Sequence, residues 1–225
     1  MSKAALNEMK FLIRLRDSPG VVPLLLPTIN SHNQNNPSLP PMIEFRGHTV
    51  LVFPYLPYNL RDVLQKFGKG VGLSLTAVRN YFGQILSAGT HLQKHRIVHA
   101  DIKPDNILVT ADFSKVLLAD FGSAVEAEFD FNEGMNDDEN GTAARSGTSG
   151  GTMEMITPYL VSRFYRAPEI ILGLQPITYA IDLWSIAVTA GELFLGKVLL
   201  RGSNNNDMLY VMMQALVSFI PSARK

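Results

Sequence analysis

The chain has 225 residues, 46% of them hydrophobic and 18% charged, enough to bury a core in one or two lobes. Twenty Lys and Arg balance twenty Asp and Glu, so the net charge is zero, which argues against a whole-surface binder of nucleic acid or anionic membrane. The absence of cysteine excludes a disulfide framework, a zinc ribbon and a cysteine nucleophile, and suits a reducing compartment.

Residues 4–16 place Ala5, Met9, Leu12, Ile13 and Arg16 at helical spacing, and Pro19-Gly20 stops the helix. Lys3, Asn7, Glu8 and Lys10 interrupt the apolar residues there, so no signal-peptide core is read. Residues 30–41 are rich in Asn and Pro and read as a connecting loop. Residues 42–46 and 49–53 flank Gly47-His48 and predict a β-hairpin. Residues 59–67 predict a short helix ending at Gly68. Ser74 then caps a longer one, with Leu75, Val78, Phe82, Ile85, Leu86 and Leu92 on one face. Short strands are expected at 107–109 and 116–119, around a turn at 111–114.

The balanced charge hides an asymmetry. Residues 126–154 hold eight acids against Arg145, a net −7, which leaves +7 for the rest. With few apolar residues and a Gly- and Ser-rich end, the segment reads as a disordered acidic insertion. Residues 181–195 are apolar nearly all round and predict a buried helix. Asp182 and Glu192 interrupt that run, so it is not a membrane span, and a soluble intracellular protein is the default. Residues 208–218 form a last, Met-rich helix.

The chemistry sits between the strands. After the long helix comes His99-Ala100-Asp101-Ile102-Lys103-Pro104-Asp105-Asn106, then Asp120-Phe121-Gly122, then Ala167-Pro168-Glu169. The order resembles a protein-kinase catalytic loop, the metal-binding Asp-Phe-Gly and the Ala-Pro-Glu that closes the activation segment. Phosphoryl transfer leaves little covalent work to a protein: a hydroxyl must be held in line with the γ-phosphate and developing charge neutralised. Asp101 suits the group that accepts or orients the hydroxyl's proton. Asn106 and Asp120 offer the hard oxygens that Mg²⁺ prefers, and Lys103 brings an ammonium toward the γ-phosphate.

Ser162-Arg163-Phe164-Tyr165-Arg166-Ala167-Pro168-Glu169 is close to the signature of the CMGC group of eukaryotic protein kinases. Together with the loop at 99–109, the segment 119–124 and the run 156–169, the chain most resembles the spliceosome-associated pre-mRNA-processing kinase branch, a neighbour of the DYRK kinases. The resemblance covers most of the chain outside the two low-complexity stretches. It implies an α+β, two-lobe fold: residues 1–56 a remnant of the small lobe and hinge, residues 57–225 a mainly α-helical large lobe. The acidic insertion, at about 126–154 by charge, falls inside the activation segment.

Further roles follow from the resemblance. Glu8 matches the helix-C glutamate that pairs with a strand lysine. Phe53 matches the gatekeeper, Pro54 to Leu56 the hinge that meets adenine, and Leu108 the apolar floor beneath it. Pro54 lacks only an N–H, so a carbonyl contact there is allowed. His99, Phe121, Gly122, Glu169 and Asp182 match structural positions, Asp182 being the buried aspartate that orders the catalytic loop. Ala100 replaces the arginine that usually precedes the catalytic aspartate and pairs with an activation-segment phosphate. Control is instead expected through phosphorylation of Tyr159, with Arg163 and Arg166 holding the phosphate.

The resemblance further implies ATP and Mg²⁺ as cofactors and protein substrates, with Arg/Ser-rich splicing factors as candidates. It implies nuclear localisation, and neither direct nucleic-acid nor membrane binding. No Gly-rich loop and no Val-Ala-x-Lys strand precede Glu8, and the last large-lobe helices, with the arginine that the resemblance pairs with Glu169, are not read, so Glu169 is expected to be a buried, unpartnered charge. The sequence therefore reads as a fragment of a serine/threonine kinase, weakly active or inactive alone. The alternative reading is a non-catalytic interaction protein related to such kinases.

Overall fold

The computed structural model describes residues 3–25, 43–127 and 162–219. Helix α1 (Lys3–Arg14) buries Met9, Phe11 and Leu12 and ends at Arg14, ahead of the expected stop at Pro19-Gly20; the chain turns at residues 15–17 and again at Gly20. Gly20 has φ 81°, and a Cβ there would lie 2.7 Å from Ala88 Cβ, so only glycine lets the chain pass. The chain then runs alongside the strand that carries Leu118: Val22 N–H donates to Leu118 O (2.9 Å) and Leu118 N–H to Gly20 O (2.8 Å).

Strands β1 (Ile43–Phe45) and β2 (His48–Val50) form the expected antiparallel hairpin, with a shifted turn. Arg46 and Gly47, at φ 53° and 76°, make the bend, rather than Gly47-His48. A two-residue hairpin turn that follows the strand twist needs positive φ at both central residues, and this places glycine second. His48 is thereby free to pair with Phe45.

After β3 (Tyr58–Asn59), Asn59 caps α2 (Leu60–Val63) in a reciprocal box. Asp62 N–H donates to Asn59 Oδ1 (2.9 Å) and Asn59 N–H to Asp62 Oδ2 (3.1 Å). The predicted helix continues as one wide turn, Leu64–Gly68, and stops at left-handed Lys69. Ser74 caps α3 (Leu75–Lys94) through Ala77 N–H (3.3 Å), and Val78, Ile85 and Leu92 are buried along its inner face. Strand β4 (Ile97–Val98) leads into the catalytic-loop sequence. Strands β5 (Ile107–Val109) and β6 (Val116–Leu118) follow, and β7 (Val125–Glu126) pairs back on β4. The three-stranded antiparallel sheet runs β3–β5–β6, with Leu108 opposite both Asn59 and Leu117.

Helix α4 (Pro168–Ile171) begins at Pro168, and α5 (Ala180–Leu195) and α6 (Asn205–Phe219) complete the described chain. The main core joins α1, α3, the three-stranded sheet, Phe121 and the inner face of α5. Helix α5 is not buried all round, as its composition predicted: Ile181, Ile186, Val188 and Leu193 are inside, but Leu183 and Phe194 are exposed. Near its end two glycines meet. Leu73 N–H donates to Leu193 O (2.8 Å), and a Cβ on Gly72 would stand 2.0 Å from Phe194 O. Gly196, at φ 74°, would put its own Cβ 2.4 Å from Gly72 N. Among the described residues no helix is long and apolar enough to cross a membrane.

Candidate active site

Asp182 sits in the first turn of α5, 5% exposed. Its Oδ2 accepts from His99 N–H (2.8 Å) and its Oδ1 from Ala100 N–H (2.9 Å). Burial pushes the carboxyl up from its ordinary value, against the pull of His99 and the two N–H donors. These bonds pin a backbone in which Ala100 adopts φ 65°, a left-handed conformation costly for a residue with a Cβ. His99 is fully buried with its ring 4.7 Å from that of Phe121. Its Nε2 faces Ala119 O (3.1 Å), and a carbonyl can only accept, so Nε2 carries the proton. Nδ1 then accepts from Asp101 N–H (3.3 Å).

The next residues converge on Asp101. Lys103 Nζ (2.6 Å) and Asn106 Nδ2 (3.0 Å) both donate to Oδ2, while Ser162 N–H donates to Oδ1 (3.1 Å). Asn106 Nδ2 also donates to Asp101 O (2.9 Å), and Lys103 Nζ to Ser162 Oγ (2.8 Å). Pro104 begins a tight turn, Pro104–Asn106, closed by Asn106 N–H to Lys103 O (3.0 Å). That turn folds Asn106 back beneath Asp101. Because its amide NH₂ is committed to Asp101, oxygen Oδ1 is the atom left for a cation. The carbonyl of Asn106 accepts from Ala119 N–H (2.9 Å), which brings the chain before Asp120 to the same place.

Asp120 is exposed and left-handed (φ 65°), with Oδ1 3.4 Å from Gly122 N–H, and Phe121 is fully buried behind it. Glu8, from α1, reaches this turn and accepts from the N–H of Phe121. Burial first, then the charge of Asp120, pushes the Glu8 carboxyl above its ordinary 4.5, while the Phe121 bond pulls it down. A carboxyl raised on folding stabilises the fold fully below its unfolded value, and loses that contribution as pH rises through the folded one. Glu8→Gln is therefore expected to melt higher than the parent at neutral pH, the gap closing as pH falls toward 4.5. Thermal melts across that window read it, and a variant less stable at neutral pH overturns it.

The remaining expected site residues are placed as follows. Phe53 is half-buried against the main core, and Pro54 and Leu56 are half-buried in the segment between β2 and β3. Leu108 stands on the opposite face of β5 from the buried Ile107 and Val109. Glu169 is half-buried, not buried as expected: it lies in the first turn of the short α4, where Ile170 rather than Glu169 is turned into the core. Arg163 Nη1 donates to Ser203 O (2.7 Å), and the buried Arg166 donates to Asn205 Oδ1 (2.8 Å). Tyr159, the connecting loop at 30–41 and all but the first two residues of the acidic segment lie outside the described residues.

Sequence reasoning missed Ser162 as a partner of both Asp101 and Lys103, although the residue stood inside the quoted signature. It missed Arg61, whose guanidinium meets Asp105, Tyr165 and Glu192. One signal was available: an acid such as Glu192 inside an apolar helix requires a partner. The exposed cluster in which Lys10 and Arg14 of α1 both meet Glu126 was also unforeseen.

A family model for the protein kinase domain matches residues 1–223. The chain is 36% identical over 214 residues to the serine/threonine-protein kinase prpf4B of Dictyostelium discoideum, covering 95% of this chain and 22% of that protein. It is 42% identical over 174 residues to the serine/threonine-protein kinase prp4 of Schizosaccharomyces pombe, covering 77% of this chain and 31% of that one. Human cyclin-dependent kinase-like 2 is 30% identical over 221 residues, 98% of this chain and 36% of its own length. The chain thus spans under a third of the length of the first two relatives. The matched domain and these relatives place the chain in the protein kinase family, within its CMGC group.

Proposed function

We propose that the chain carries the catalytic centre of an ATP-dependent serine/threonine protein kinase that acts on splicing-related proteins. The observation that carries the reading is the convergence of Lys103, Asn106 and Ser162 on the carboxylate of Asp101. In this reading residues 1–56 belong to the small lobe and hinge and residues 57–225 to the large lobe. Splicing-related substrates rest on the resemblance to the pre-mRNA-processing branch, as do Arg/Ser-rich partners and a nuclear location.

The residues fit Mg·ATP. Asn106 Oδ1 and the exposed Asp120 carboxylate form the hard-oxygen pair that would hold Mg²⁺, and the half-buried Leu108, Phe53, Pro54 and Leu56 are the residues that the resemblance sets against adenine. Bound Mg·ATP supplies the phosphoryl group and neutralises its charge. The chain's own residues do the rest. Three N–H donors fix both oxygens of Asp101, so the carboxylate is aimed before a hydroxyl arrives, and it accepts or orients the proton that hydroxyl gives up. Lys103 bridges Asp101 and Ser162, which sets its ammonium beside the same point. Phosphorylation of Tyr159, read by Arg163 and Arg166, remains part of the proposal.

Binding of Mg·ATP is the step that Asn106 and the exposed Asp120 carboxylate bear on most directly. The primary test is therefore the Mg·ATP-dependent thermal shift of the purified chain. It is expected to be clear in the parent and lost in Asp120→Asn. No shift in the parent, or an equal shift in the variant, overturns the reading. Where transfer to a Ser/Thr protein is measurable, Asp101→Asn should lower kcat about 10²–10⁴-fold at unchanged melting temperature.

A further inference from the structure

A second charged cluster lies behind the Asp101 site. Arg61, on α2, reaches three elements at once. Its Nη1 meets Glu192 Oε1, its Nη2 donates to Asp105 Oδ2 (3.0 Å) and to the Tyr165 hydroxyl (2.7 Å), and its Nε approaches Asp105 Oδ1 (3.4 Å). The Tyr165 hydroxyl in turn donates to Glu192 Oε2. Glu192 is 1% exposed, inside the apolar run of α5, so the cluster is anchored in the core.

Its outer contacts fall at telling places. Asp105 stands between Lys103 and Asn106, both of which hold Asp101 Oδ2. Tyr165 lies three residues after Ser162, which holds Asp101 Oδ1 and accepts from Lys103. The two pieces of chain that meet at Asp101 are therefore gripped a second time, by one guanidinium.

We infer that Arg61 is a positioning residue: shared by Asp105, Glu192 and Tyr165, it sets the spacing of the 103–106 loop from the 162–165 segment, and with it the aim of Asp101 and Lys103. A guanidinium suits this work because its donors form a rigid planar fork, whereas an ammonium is a single flexible point. The consequence for rate rests on the kinase reading. The spacing does not.

The test is amide hydrogen exchange in the full chain, comparing the parent with Arg61→Lys and with the double variant Arg61→Met, Glu192→Gln. The double variant leaves no buried charge unpaired and so keeps the fold testable. Three amides report on the grip: Asn106 (bonded to Lys103 O), Ser162 (bonded to Asp101 Oδ1) and Tyr165 (bonded to Ser162 O). Both variants are expected to speed their exchange about tenfold or more, while the amides of Ile85 and Ala88 inside α3 stay within about twofold. Parent-like exchange in Arg61→Lys overturns the fork argument. Unchanged exchange at the three amides, or an equal rise at the α3 amides, overturns the inference whole. In a transfer assay both variants should lower kcat about tenfold or more with KM for ATP within about twofold. Absence of the Mg·ATP-dependent thermal shift in the parent counts against the kinase reading alone, because the exchange result needs neither nucleotide nor turnover.

Discussion

Asp182→Ala is expected to cost about 2–4 kcal/mol of folding stability and to abolish any phosphoryl transfer, although residue 182 touches neither phosphate nor hydroxyl. The His99 and Ala100 N–H groups both give their bonds to this one carboxylate. Each would be left buried without an acceptor, at about 1–3 kcal/mol apiece. The sum is offset in part, because the variant also removes a carboxylate whose own burial is unfavourable. Asp182→Asn should fall between, since it keeps one acceptor oxygen and turns an NH₂ toward the other donor. Urea denaturation of the three proteins measures this. An alanine variant as stable as the parent would show that the two N–H groups find other acceptors, and that the left-handed bend at Ala100 is held by something else.

Gly72→Ala carries the other large effect. At φ 105° the position is hostile to any side chain, and a Cβ would meet the carbonyl oxygen of Phe194 at 2.0 Å. The neighbour is backbone at the end of a long helix and cannot step aside cheaply. The expected cost is about 3–5 kcal/mol, combining left-handed strain with overpacking. Gly70→Ala is the matched control. It has a similar positive φ of 76° but nothing within 4 Å of the added atom, so it should lose only about 1–2 kcal/mol. Equal midpoints in denaturant for the two variants would refute the contact argument.

What the sequence disclosed and withheld follows from the range of the interactions involved. The long helices were visible because their spacing and caps are local: Ser74 announces α3 three residues before it pays off in the bond to Ala77. The loop from His99 to Asn106 was visible for the same reason, since Lys103 and Asn106 reach Asp101 from two and five positions away. The short strands were not all foreseen. Tyr58 pairs with Val109 and Ile97 with Glu126, and two-residue strands carry no period of their own. The hairpin turn was displaced by one residue because glycine's presence does not say which central position it takes. Arg61 was invisible because its partners lie 44, 104 and 131 positions away. Glu169 was misjudged because a motif names a residue without fixing how much of the fold covers it.

The contact of Glu126 with Lys10 and Arg14 has one more consequence. All three side chains face solvent, the acid 56% exposed and the bases 60% and 33%. At 0.15 M salt charges are already screened beyond about 8 Å, and stronger brine weakens such exposed attractions further. The bond from Ser162 N–H to Asp101 is shielded within the fold. Ionic strength should therefore loosen the tether between β7 and α1 well before it disturbs Ser162, so the two holdfasts answer to different solution conditions.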